Sequence, residues 1–284
     1  MTEFDAGKRR NLAVRAASAL VLLPIALVVT VLGGLPFAIV AGAVGALAAA
    51  ELILMFGPLG VGEVLGIAVA GGMPLAAGLT RGDLARGESL FPAWAAGALA
   101  MAVVLLLVAF LLRRERLEAI PPRIATVALS WLYCGLLLST AVGLRRIGLE
   151  WILLALVITW ANDTFAYFAG VLFGRHRMLE RISPKKTWEG FAGGAIGTVL
   201  VALLARWLMG PELKMLSVRD TVVMAAGGAV LGPLGDFCES LMKRAAGVKD
   251  SGRLIPGHGG ILDRIDALLF VAPWVYLWAL TLVR

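Results

Sequence analysis

About nine apolar stretches, each close to bilayer-spanning length, follow one another along this chain, near residues 16–33, 35–56, 59–79, 91–112, 124–143, 150–172, 189–209, 220–241 and 261–282. Roughly 20 apolar residues cross the ~30 Å hydrocarbon layer as a helix. Inside that layer the backbone must satisfy its own polar groups, which a helix does within one segment. The predicted fold class is therefore all-α, a polytopic membrane protein of about nine transmembrane helices. Composition agrees: 60% of residues are hydrophobic and 16% charged, with a mean hydropathy of +0.89. A soluble domain carries about 25% charge. Little of the 284-residue chain lies outside the stretches, so a separate soluble domain is not expected within it.

The first stretch follows Lys8, Arg9 and Arg10, which resemble the charged start of a signal peptide. It is longer than a signal core and leads directly into further spans, so it reads as a retained helix. Cys134 and Cys238 both fall within spans and read as small apolar fillers, with no disulfide framework. The net charge of +7 informs through its placement. With the N-terminus in the cytoplasm, 18 Lys and Arg residues fall on the cytoplasmic side and 8 on the other. Positive charge favours the cytoplasmic side, so the sequence predicts a multi-pass protein of the cytoplasmic (inner) membrane with its polar loops facing the cytoplasm. Basic loops also suit nucleic acid, but no aromatic-basic interleaving or known module is present, and nucleic acid is not an expected partner.

The halves differ. Residues 1–145 are rich in Ala, Leu, Val and Gly and read as transmembrane scaffold; interfacial placement accounts for Glu51 and Glu63 beside the short 57–60 connection. Residues 146–284 hold most of the intramembrane polarity and read as the catalytic region. The sixth span places Asn162 and Asp163 at hydrocarbon depth, with Asp163, Tyr167, Gly170 and Gly174 on one helical face. A carboxylate there costs about 2.5–3.5 kcal/mol on insertion scales, so it faces protein or water. The following loop contains Ser183-Pro184-Lys185-Lys186-Thr187. Ser183 or Thr187 can cap the next helix, and the paired lysines sit where that helix's free amides favour an anion. Arg175, Arg177 and Arg181 read as ordinary leaflet-facing charge. Gly190, Gly193, Gly194 and Gly197 form interleaved small-residue pairs suited to close helix packing.

At the end of the eighth span, Asp236, Glu239, Ser240 and Lys243 are spaced i, i+3, i+4 and i+7 and share one face. Asp263, Arg264 and Asp266 open the ninth span from the same side, and Asp163 approaches from that side too. Carboxylates brought together by three helices repel one another unless a cation joins them. Mg²⁺ takes oxygen ligands and typically uses one or two carboxylates plus substrate phosphates. Lys243, Arg244, Lys249 and Arg253 supply cations around this group, and Gly247, Gly252, Gly257, Gly259 and Gly260 make the connecting loop pliable. His258 in that loop reads equally as a phosphate or proton contact and as part of a turn. Cations for phosphates, carboxylates for a metal and a glycine loop between them are parts that phosphoryl chemistry uses.

Residues 240–266 resemble the signature of the phosphatidate cytidylyltransferase (CDP-diacylglycerol synthase) family. That signature runs Ser, x, apolar, Lys-Arg, four variable residues, Lys-Asp, x, small, two variable residues, apolar, Pro/Gly, x, His-Gly-Gly, apolar, x, Asp-Arg, apolar, Asp. The chain follows it from Ser240 through Asp266 with no departure at a charged position. The Asn162-Asp163 segment and Ser183–Thr187 also resemble family features, so the resemblance covers residues 160–266. It implies transfer of a cytidylyl group from CTP to phosphatidic acid among membrane lipids, a Mg²⁺ cofactor and a homodimer, with residues 1–145 available for dimer contacts. Asp236, Asp263 and Asp266 are the implied metal ligands, with Asp163 beside them. Lys243, Arg244, Lys249, Asp250 and His258 complete the implied catalytic group. Asn162, Asp163, Ser183, Lys185, Lys186, Thr187, Glu239, Ser240 and Arg264 are the implied substrate contacts. Two other readings stand beside this one: a related CTP-dependent enzyme acting on another lipid phosphate, and a secondary anion transporter. Transporters place their sites at the midplane between paired halves, whereas this polarity gathers at one edge of one half.

Overall fold

Long apolar runs become helices here, and the polar connections decide which helix ends meet. The structure, a computed structural model, describes residues 18, 20–80, 84, 88–209, 211–214 and 216–282. The basic segment before the first stretch, Lys8, Arg9 and Arg10 included, lies outside these residues. The helices are α1 (Leu20–Leu32), α2 (Gly34–Phe56), α3 (Val61–Leu79), α4 (Trp94–Leu111), α5 (Ile120–Ser130), α6 (Leu137–Ile147), α7 (Leu149–Phe173), α8 (Trp188–Leu208), the short α9 (Pro211–Lys214), α10 (Val218–Ala245) and α11 (Leu262–Leu282). A π-helical turn, Trp131–Leu136, joins α5 to α6, so that Leu117–Ile147 forms one span. Among the described residues eight helical segments are long and apolar enough to cross a membrane, and α1 is a shorter apolar helix. The protein is thus an all-α, multi-pass membrane protein. Its spans follow the expected stretches, with α10 reaching four residues beyond the expected end at 241.

The loop expected over 173–188 is a small antiparallel hairpin, β1 (Arg177–Leu179) with β2 (Ser183–Thr187), in the register Arg177↔Thr187 and Leu179↔Ser183. The hairpin ends on a capped helix: Thr187 Oγ1 accepts from Gly190 N at 3.1 Å and starts α8. Ser217 and Asp220 form the reciprocal cap at the start of α10, with Asp220 N donating to Ser217 Oγ at 3.0 Å. On the opposite face two arginines of α6 close helix C-termini, where carbonyls lack partners. Arg145 donates to the carbonyls of Thr30 and Val31 at 2.6 and 2.9 Å, and Arg146 to those of Ala77 and Leu90 at 3.0 and 3.1 Å.

The tightest helix pairs are α7 with α8, α2 with α3 and α10 with α11. The glycines of α8 permit the first, as the sequence suggested: a Cβ at Gly193 or Gly197 would run into Ala169 or Phe165 of α7. One apolar core joins both halves of the chain, from Leu52, Trp131 and Cys134 to Ile158, Met224 and Leu269. Large apolar residues of α4 such as Met101, Leu107 and Leu111 are exposed, the surface expected of lipid-facing residues.

Loop contacts fix which helix ends share a face. Arg123, at the start of α5, donates to Pro58 O at 2.5 Å. Glu51 near the end of α2 reaches Ser251 in the 246–261 loop, and Lys186 of the hairpin reaches Asp236 of α10. Ser18, ahead of α1, lies 2.9 Å from His258 Nδ1. The connections 57–60, 112–119, 174–187 and 246–261 therefore lie together.

Candidate functional site

The face predicted on α10 is present and points at α11. Ser240 Oγ donates to Asp236 Oδ1 at 3.1 Å, and Lys243 forms an ion pair with Glu239 one turn earlier. Asp236 stands nine residues before Ala245, about 13 Å below the end of the helix at 1.5 Å per residue. Gly235 sets the approach of the two helices: a Cβ there would lie 2.5 Å from the carbonyl oxygen of Asp266. The backbones consequently touch where both carry a carboxylate.

The carboxylates that converge are Asp236, Glu239 and Asp266, whose ligand atoms lie within 4.8 Å of one another. Glu239 is fully buried with Lys243 as its ion-pair partner at Oε2, and among the described residues Oε1 meets no hydrogen-bond donor. A buried carboxylate with one oxygen unmet is costly. Oxygen donors gathered so closely are the set a hard divalent cation takes. The residues present fit the Mg²⁺ that the sequence suggested.

Asp263, also expected among the metal ligands, lies outside the cluster of Asp236, Glu239 and Asp266. Its Oδ2 accepts from Ser251 N at 2.9 Å and Gly260 N at 2.8 Å, Ser251 Oγ at 2.9 Å shares its one proton between this oxygen and Glu51 Oε2, and its Oδ1 takes Lys243 Nζ at 2.6 Å. Asp263 thus holds Lys243 and the loop, while Glu239, expected as a substrate contact, stands in the carboxylate cluster. Lys243 bridges the two, lying within ion-pair distance of Asp263 and Glu239.

Further cations approach from the hairpin. Lys186 Nζ lies 2.6 Å from Asp236 Oδ2 and 4.6 Å above the Phe237 ring. Asp163 of α7 is within electrostatic range of Lys186, Asp236 and Arg264. Asn162, its neighbour, instead donates to Ala229 O at 2.9 Å and is buried, tying α7 to α10 rather than facing the cluster. Thr187 spends its hydroxyl on the cap of α8, Ser183 pairs with Leu179 across the hairpin, and Lys185 is exposed.

The 246–261 loop adds a cavity of about 360 Å³ lined by Lys249, Asp250, Arg253, His258 and Arg264 among others. His258 takes the turn-forming place and also lines this cavity. Its N–H closes a turn on Ile255 O at 3.0 Å between Gly257 and Gly259, whose φ angles of 77° and 83° suit glycine. Arg244, at the end of α10, is exposed and donates to Val248 O at 2.9 Å.

Two acids in the first half are buried in protein contacts at the polar-loop face. Glu63 is buried against Arg113 and Arg123, with Arg123 Nη2 at 2.5 Å. Glu51 is buried against the signature loop: its Oε2 accepts from Ser251 Oγ at 2.8 Å and Leu262 N at 2.9 Å, and its Oε1 from Ile261 N at 2.9 Å. It thus caps the N-terminus of α11, an acid meeting free amides and the positive end of the helix. Nothing in the spacing of α2 singles Glu51 out, because its partners lie 200 to 211 residues away.

Residues 13–282 match the sequence model of the cytidylyltransferase family. A Thermotoga maritima protein named phosphatidate cytidylyltransferase is 43% identical over 157 residues, 54% of this chain and 58% of its own. Proteins of the same name from Staphylococcus epidermidis and Bacillus subtilis are 46% identical over 130 residues and 40% over 156, covering 45% and 53% of this chain and 48% and 56% of theirs. The chain spans about half the length of the relatives it matches.

Proposed function

Since the chain belongs to the cytidylyltransferase family, we propose that it transfers CMP from CTP to phosphatidic acid, giving CDP-diacylglycerol and pyrophosphate. The observation that carries this reading is the meeting of Asp236, Glu239 and Asp266 beside Lys186 and Lys243, with a cation-lined cavity in the adjoining loop. Asp236, Glu239 and Asp266 would hold a Mg²⁺ ion, which supplies positive charge to the phosphoryl group being transferred. No protein nucleophile is required. A phosphatidate oxygen attacks the α-phosphorus of CTP, the bond to the β-phosphate oxygen breaks, and pyrophosphate departs. Lys186 and Lys243 neutralise charge that builds on the phosphoryl oxygens, which accelerates the step only as far as they are fixed beforehand. Asp263 and Ser251 fix Lys243, and Asp236 fixes Lys186 until phosphate arrives. Lys249, Arg253 and Arg264 suit the polyphosphate chain.

The same proposal places the site on the cytoplasmic side of the inner membrane, where CTP is available, with the N-terminus in the cytoplasm. The basic asymmetry of the loops supports that orientation. A homodimer belongs to it as well, on the strength of the family resemblance. The test is incorporation of radiolabel from α-labelled CTP into lipid by purified protein in phosphatidate-containing micelles, with Mg²⁺ and with a chelator. Labelled CDP-diacylglycerol that disappears on chelation is expected. Labelling of a polyprenyl phosphate but not of phosphatidate would redirect the substrate assignment, and no labelled lipid at all would end the reading.

A further inference from the structure

The π-helical turn Trp131–Leu136 interrupts the middle of a span in the half that reads as scaffold. Such turns carry one residue more than the α-helix needs and re-aim the side chains on them, which is why they recur at functional sites. Tyr133 lies within this turn. Its ring meets Phe270 of α11 edge-on, with centroids 6.3 Å apart, and only 6% of the residue is exposed. Its hydroxyl has no hydrogen-bond partner among the described residues. A buried tyrosine ordinarily finds one.

Position explains what that hydroxyl faces. Phe270 lies one turn below Asp266 on α11, and its ring lies near the site where Gly235 meets the Asp266 backbone. Side chains on a helix tilt toward its N-terminus. The N-terminal end of α5 lies on the face that carries the polar loops, so Tyr133 tilts from the Phe270 level toward the Asp266 level. Asp266 and Glu239 are the carboxylates within electrostatic range of its hydroxyl. Tyr133 therefore brings a buried hydroxyl without a hydrogen-bond partner among the described residues to the helix pair that carries Glu239 and Asp266.

We propose that Tyr133 is a fourth protein group of this centre, a binding residue whose hydroxyl donates to an oxygen of whatever the carboxylates hold. That oxygen is a water on a divalent cation or a phosphate oxygen of the nucleotide. The proposal rests on the reading of the carboxylates as a cation site. It gives the first half of the chain a direct part in that site, with the π turn as the device that delivers it.

Tyr133→Phe supplies a test with opposite signs. Removing a hydroxyl that nothing uses relieves an unmet polar group, so the empty protein should melt at the same temperature or higher. Binding is read by titrating purified protein with Mn²⁺ and following free Mn²⁺ by electron paramagnetic resonance, with and without CTP. A charge-assisted hydrogen bond to the occupant predicts Mn²⁺ affinity lower by about tenfold to a hundredfold. Weakening with Mn²⁺ alone identifies the partner as metal-bound water; weakening only with CTP present identifies a phosphate oxygen. Undiminished affinity in both arms overturns the proposal. Asp266→Asn keeps the two readings apart: if it binds Mn²⁺ as wild type does, or if wild type binds none, the cation site itself is wrong and Tyr133 falls with it. If Asp266→Asn abolishes binding while Tyr133→Phe leaves it intact, the assignment of Tyr133 alone is wrong.

Discussion

Glu51→Gln is the change that most directly asks whether the first half of the chain organises the signature loop. Glu51 accepts three hydrogen bonds, two of them from the free amides that open α11. In the glutamine the carbonyl oxygen can serve Ser251 Oγ and Leu262 N, the two donors that share Oε2. The amide group must then face the N–H of Ile261, donor against donor. One hydrogen bond to a charged acceptor is lost, worth about 1.5–3 kcal/mol, and the negative charge at a helix N-terminus adds about 0.3–1 kcal/mol. The expected loss of stability is about 2–4 kcal/mol, a fall of roughly 5–15 °C in the thermal midpoint of detergent-solubilised protein. The effect should pass along a chain of contacts: Ser251 loses its anchor, Asp263 loses the geometry of two of its donors, and Lys243 loses a fixed partner. A displacement of about 1 Å at a positioning group costs on the order of 10²-fold in rate, so kcat for CMP transfer should fall about 10- to 100-fold at temperatures where the variant is folded. Glu63→Gln is the matched control. It breaks a buried ion pair with Arg113 and Arg123, at a cost of about 3–5 kcal/mol, but among the described residues the other hydrogen bonds and ion pairs of those arginines go to Glu115 and Pro58 and not to the 246–261 loop. It should lower the midpoint at least as far while keeping kcat within a few-fold of wild type. Equal kcat losses in the two variants, or an unchanged kcat in Glu51→Gln, would refute the positioning argument.

Gly235→Ala places a methyl 2.5 Å from the Asp266 carbonyl oxygen; α10 and α11 must part, and turnover should drop at least tenfold with Mn²⁺ affinity falling alongside, whereas unchanged Mn²⁺ affinity would show the helix spacing to be unimportant. Lys186 and Arg181 share one loop, yet Lys186 faces Asp236 and Arg181 is exposed. Lys186→Ala should depress turnover at low and high salt alike. Arg181→Ala should show a small defect that shrinks as salt rises, because leaflet attraction contributes about 1 kcal/mol per exposed cation and is screened; the reverse ranking would place the phosphate site elsewhere. Reporter fusions after Lys185 and Lys249 should both report the cytoplasm, and a periplasmic signal at both would invert the orientation.

The parts of this site that can be read from the chain are those set by local periodicity. Asp236, Glu239, Ser240 and Lys243 share a face because 3.6 residues make a turn, and no distant contact can change that. Helices are equally plain, since hydrocarbon leaves the backbone few alternatives. The hairpin over 177–187 escapes such reading because two strands of three and five residues are too short to show an alternation. Asp263 illustrates a different limit. Its place in the first turn of α11 follows from sequence, but a carboxylate there can bind a metal or the donors around it. The choice falls to Ser251, Gly260 and Lys243, which only the folded loop brings within reach.

Glu51 and Tyr133 mark where local reading ends. Glu51 is the one charged residue of α2 and Tyr133 lies in a turn of otherwise apolar residues, and an acid or tyrosine near hydrocarbon is most simply assigned to an interface or to packing. What distinguishes them is a demand made elsewhere. The start of α11 has amides that need an acceptor, and α10 and α11 bring together carboxylates that need a cation and donors around it. Sequence shows each supply in one place and each demand some 130 to 210 residues away, without the geometry that joins them. Division of the chain into a scaffold half and a catalytic half follows from where polar residues are dense. Density counts residues, whereas a binding centre is completed by the last one or two groups that satisfy it, and here those groups come from the sparse half.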